Sequence, residues 1–83
     1  MERRYNNMEQ VLVILTLDAV PYQVLSFKGV HDEIYQEAEK QFLAICKEYI
    51  WNFDEYSQED IDYILEKGYE IWGGDNSVLI HWI

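Results

Sequence analysis

One cysteine, one proline and four glycines are all that these 83 residues hold of the types that staple, bend or loosen a chain. Cys46 has no second cysteine for a disulfide, a CxxC pair or a zinc cluster. So little proline and glycine argues against disorder. Basic residues are scarce too: six Lys and Arg stand against sixteen Asp and Glu, a net charge of -10. Such a field repels DNA, RNA and anionic membrane surfaces and attracts proteins with exposed Lys and Arg. The apolar run from Val11 to Leu17 is too short to span a bilayer and breaks at Asp18. No signal-peptide pattern follows the charged start MERRYNNMEQ, so a cytoplasmic location is expected.

What is present can build one core. Apolar residues make up 49% of the chain and aromatics 16%. A domain of this length buries only about 60% of the surface its unfolded chain exposes, so its stability margin is thin. The expected organisation is a polar lead over residues 1–9 and a single domain over 10–83. QVLVILTL reads as a strand apolar on both faces, hence central in a sheet. DAVP turns the chain, and YQVLSFK pairs back as an antiparallel hairpin.

From Asp32 to about Trp51 the period becomes helical, with Ile34, Ala38, Phe42, Ile45 and Tyr49 on one stripe and Tyr35 and Cys46 on its flank. Cys46 is thereby expected to be a buried small hydrophobe rather than a nucleophile. Ser57 and Asp60 have the spacing of a capping box, and Lys67 with Gly68 marks the end of the second helix. Ile61, Ile64 and Leu65 supply its narrow apolar stripe. The connection WNFDEY is too aromatic for a mere linker and is expected to pack locally. YEIW and SVLIHWI flank the turn GGDN, the last strand lying inside the sheet beside the first. The order is ββααββ, class α+β: a four-stranded antiparallel sheet with two helices packed on one face.

Catalytic signatures are missing. No GxGxxG, Walker loop, GxSxG or HExxH occurs. The triplet HDE at 31–33 points its side chains in different directions at a helix start, and EDIDYILEK lacks the central glycine of a calcium loop. A non-enzymatic protein without metal or cofactor is expected.

The stretch from Phe53 to Ile71 concentrates seven carboxylates and three tyrosines around Lys67. Glu59, Asp62 and Glu66 recur at three- and four-residue spacing and form a row on one side of the second helix. Like charges so placed destabilise a helix by roughly 0.2–0.5 kcal/mol per pair. A merely solubilising face could alternate Glu with Lys and avoid that. Carboxylates about 5–6 Å apart approximate phosphates along a nucleic-acid strand. Asp54, Glu55 and Glu70 extend the row, while Tyr56 and Tyr63 add rigid amphipathic contact area. These eight residues are the expected partner-binding set, and the expected partner is a basic, nucleic-acid-binding protein whose surface they block.

In size, charge and lack of motifs the chain resembles small acidic inhibitors made by bacteriophages and mobile elements, including anti-CRISPR and other DNA-mimic proteins. It is similar in size and charge to bacteriocin immunity proteins that neutralise nucleases. The resemblance is one of composition. A second reading is a self-associating structural or regulatory subunit, in which a symmetric homodimer completes a thin core flanked by two outer strands.

Overall fold

A computed structural model describes residues 8–83; the polar lead falls outside them except for Met8 and Glu9. Those two belong to the first strand, β1 (Met8–Leu17), where they pair with Val30 and Gly29 of β2 (Val20–Val30). The second strand is longer than YQVLSFK because its pairing continues at both ends, and this draws β1 forward. After two helices come β3 (Tyr69–Trp72) and β4 (Asn76–Trp82). The sheet is antiparallel with order β2-β1-β4-β3, so the two strands read as apolar on both faces occupy its centre.

Alternation sorts the side chains. Val11, Val13 and Leu15 of β1 are fully buried on one face together with Val78 of β4, and Leu25, Phe27, Ile80 and Trp82 pack around them. The β1–β2 turn is only two residues long, Asp18 and Ala19, both at positive φ (54° and 65°) as the twist of a tight hairpin requires. Its backbone is tied to the other hairpin: Asp18 N–H donates to Asn76 Oδ1 and Ala19 N–H to the Asp75 carbonyl, each at 2.9 Å. These bonds offset the left-handed strain of roughly 1–2 kcal/mol per residue.

Helix α1 (His31–Tyr49) follows β2 without a loop. The junction needs Gly29, since a Cβ there would meet Ile34 Cγ2 at 2.9 Å at a φ of +156°. Ile34, Ala38, Phe42, Ile45 and Cys46 are its buried stripe, with Tyr49 half-buried at the margin. The helix ends at Tyr49 rather than near Trp51 because Ile50 leaves the spiral to bury its own side chain, its N–H still bonded to the Cys46 carbonyl.

A turn of 3-10 helix (Phe53–Glu55) leads into α2 (Gln58–Lys67). Phe53 and Tyr56 pack with tilted rings, centroids 4.8 Å apart, the local packing expected of WNFDEY. Ser57 Oγ accepts from Asp60 N–H at 3.1 Å and Asp60 Oδ2 from Ser57 N–H at 3.0 Å, completing the capping box. Gly68, at φ 81°, closes the helix with its N–H on the Ile64 carbonyl. Both helices lie on the same face of the sheet, giving the α+β domain expected, and among the described residues no element covers the other face. Among the described residues no helix is long and apolar enough to cross a membrane.

Candidate functional site

Helix α2 turns Ile64 into the core and flanks it with half-buried Ile61 and Leu65. Its opposite side therefore faces solvent, and the spacing places Glu59, Asp62, Tyr63 and Glu66 there together, all exposed. Asp62 accepts a 2.9 Å bond from Gln58 Nε2, which fixes one member of the row. Among the described residues none of the three carboxylates has a cation within ion-pair distance. Tyr63 is 61% exposed, and Lys67 Nζ lies 4.9 Å from its ring centroid and 4.7 Å from that of Tyr69. The one lysine in the acidic stretch is thus held between two aromatic faces.

Asp54 and Glu55, on the 3-10 turn just ahead of α2, are exposed and continue the acidic surface. The remaining two members of the expected set behave differently. Tyr56 is half-buried and donates a 2.6 Å hydrogen bond to Glu70 Oε2. Glu70 pairs with Val78 on the helix-bearing face of the sheet, its side chain only 14% exposed, with Lys67 Nζ 3.8 Å from its other oxygen. Six of the eight residues thus share an open surface, while Tyr56 and Glu70 tie it to the sheet beneath. Burial, and then the Glu70 bond and charge, push the Tyr56 hydroxyl pKa well up. Burial first and the Glu70 charge second push the neighbouring Cys46 thiol up to about 12. A thiol so protected is inert as a nucleophile at neutral pH.

Sequence reasoning missed Trp51. It was assigned to the local packing of WNFDEY, yet it stands 86% exposed beside Asp54 at the rim of an open groove of about 490 Å³. Ile50, Phe53, Tyr56 and Ile61 give that groove an apolar lining, and Lys47 and Asp54 supply charge. The available signal was its place one residue after the helix stripe ends at Ile50, where the chain leaves the core.

No protein-family model matches the chain, and no curated protein or solved structure does either. Among the described residues no three His, Cys, Asp or Glu side chains converge as a metal-holding group. His31 is engaged elsewhere: its Nδ1 lies 2.8 Å from Glu9 Oε1 and its ring stacks on Trp82 at 4.3 Å. The chemistry of the acidic surface is that of its exposed side chains. It presents a row of carboxylates, two large exposed aromatics, Trp51 and Tyr63, and an open groove of mixed polar and apolar lining.

Proposed function

We propose that this protein is a small non-enzymatic inhibitor that docks its acidic surface on a basic, nucleic-acid-binding region of another protein and blocks it. The observation that carries the reading is the joint exposure, along the segment from the end of α1 through α2, of Asp54, Glu55, Glu59, Asp62 and Glu66 with Trp51 and Tyr63. Carboxylates alone suit a solvated face. Large exposed aromatics beside a groove do not, because Trp and Tyr are the residues most enriched at binding hot spots. The carboxylates steer and orient a cationic partner, and the aromatic anchors hold it after encounter.

This chemistry is that of a DNA mimic of the phage or anti-CRISPR kind, acting in a host cytoplasm on a protein and not on nucleic acid. A partner that normally holds phosphates presents Lys and Arg at the spacing the α2 row meets. Self-association, the second reading, draws on a different surface, the uncovered face of the sheet, and is compatible with the first.

The test is capture from the native host with two baits, the wild-type protein and a Glu59→Gln/Asp62→Gln/Glu66→Gln variant, followed by mass spectrometry. A basic nucleic-acid-binding protein retained by the first bait and lost from the second supports the proposal. Equal capture by both baits, or no basic protein on either, overturns it.

A further inference from the structure

Helices cover one face of the sheet, and the register assigns the residues of the other. Leu12 and Ile14 of β1, Val24 of β2 and Leu79 of β4 share this open face with Tyr69 and Ile71 of β3. Val24 is 53% and Ile71 56% exposed. Besides the Tyr69 hydroxyl, its only titratable side chains among the described residues are Lys28 and His81, with Lys67 Nζ 4.7 Å from the Tyr69 ring at its margin. All fifteen carboxylates of the described residues lie elsewhere: on the helices, the 3-10 turn, the two hairpin turns, or the helix-bearing side of the sheet. In a chain of net charge -10 this separation is strong.

We infer that the open sheet face is a homodimer interface, on which a second copy of this chain packs sheet against sheet. Three considerations select that occupant. The first is area. The four strands hold 10, 11, 4 and 7 residues. At about 3.3 Å per residue and about 4.8 Å between strands, they present about 500 Å² per copy. Two copies bury about 1,000 Å², the lower bound for a specific interface, over a face that mixes its apolar residues with Gln10, Thr16, Ser26 and Ser77.

The second is charge. Two copies joined through any acidic surface repel each other. Joined through this one, the sheets lie about 10 Å apart and a helix layer separates each set of α1 and α2 acids from the interface. The two acidic layers are then roughly 30 Å from each other, several times the Debye length of about 8 Å at physiological salt. A cationic partner protein gains nothing from a face that carries no acid, and an acidic one finds only Lys28 and His81, with Lys67 at the margin.

The third is the state of the sheet edges, which decides between edge and face pairing. β2 carries Pro21 and Lys28 and shifts register against β1 between Leu15 and Thr16, and β3 has only four residues. These are features that blunt an edge against strand addition. An isologous, two-fold contact through the faces leaves both acidic surfaces pointing outward. The inference does not rest on the proposed inhibitor activity.

Sedimentation velocity or light scattering of the purified full chain at tens of micromolar tests it. The wild type is expected at about 20 kDa, twice the 10.0 kDa chain. Val24→Lys combined with Ile71→Lys, both at exposed positions that a folded monomer tolerates, is expected at the single-chain mass with an unchanged circular dichroism spectrum. Glu59→Lys on α2 is expected to keep the doubled mass. A wild type that stays at the single-chain mass overturns the inference, and so does a doubled mass that survives the two lysines.

Discussion

The Tyr56 hydroxyl donates to Glu70 at 2.6 Å across fourteen residues of sequence, and so clamps the segment ahead of α2 onto the strand that follows it. Glu70 stands on the helix-bearing face of the sheet and is largely shielded from water, so its carboxylate needs that donor as well as Lys67 at 3.8 Å. Tyr56→Phe is therefore expected to destabilise the fold by about 1.5 kcal/mol, the lower end of the range of roughly 1.5–3 kcal/mol for a hydrogen bond to a charged group. Urea denaturation checks it. A Tyr56→Phe/Glu70→Gln double variant is expected to lose less than the sum of the two single changes.

Alkaline pH is expected to destabilise the protein through Cys46 and Tyr56. Both keep their protons in the folded state at pH values where the unfolded chain releases them. Their contribution is fully present below the unfolded values of 9.0 and 10.0 and is lost as pH rises through the raised folded values. Stability should thus be flat up to pH 9 and fall from there toward pH 12. Cys46→Ala should make that fall shallower by up to one proton between pH 9 and 12, leaving the part due to Tyr56 and to the likewise raised Tyr35 and Tyr49, which starts at pH 10. Melting temperatures across this range supply the check. An equal slope for both proteins contradicts the assignment.

Added salt is expected to raise the melting temperature between low and physiological ionic strength. The net charge of -10 opposes the compact state, and the α2 row adds like-charge pairs that screening relieves. For a domain of this size each kcal/mol recovered corresponds to roughly 4–8 °C. A melting temperature indifferent to salt would mean that the acids are already compensated.

Much of this architecture was legible in the sequence because each element obeys a local rule. Two-sided apolar strands mark the centre of the sheet, the stripe from Ile34 to Tyr49 marks α1, and the Ser57–Asp60 box starts α2. The surface was less legible. Glu70 reads as one more acid of the row, yet its pairing with Val78 turns it toward the helices. That fact depends on strand register, which no spacing within YEIW reveals. Trp51 reads as part of a locally packed aromatic connection, and only the departure of Ile50 from α1 turns it outward. That one sheet face stays open follows from two helices on one side, but which residues occupy it again depends on register. Leu12, Ile14 and Leu79 signal a strand covered on both sides, but the chain contains helices enough for one side.

Trp51→Ala should leave stability within about 0.5 kcal/mol of the wild type, since a side chain 86% exposed contributes little to folding. It should raise the dissociation rate of the captured partner roughly 30-fold, the effect of losing a hot-spot anchor of about 2 kcal/mol. Surface plasmon resonance separates this from the acidic row, whose loss acts mainly on the association rate and its salt dependence.

The most direct measurement is competition. The captured partner is mixed with its labelled nucleic acid, and fluorescence anisotropy follows release as this protein is added. The wild type is expected to displace the nucleic acid, and the Glu59→Gln/Asp62→Gln/Glu66→Gln variant to fail while folding at least as stably as the wild type. Nucleic acid that stays bound at saturating wild-type protein, or that the triple variant displaces equally well, would contradict the account.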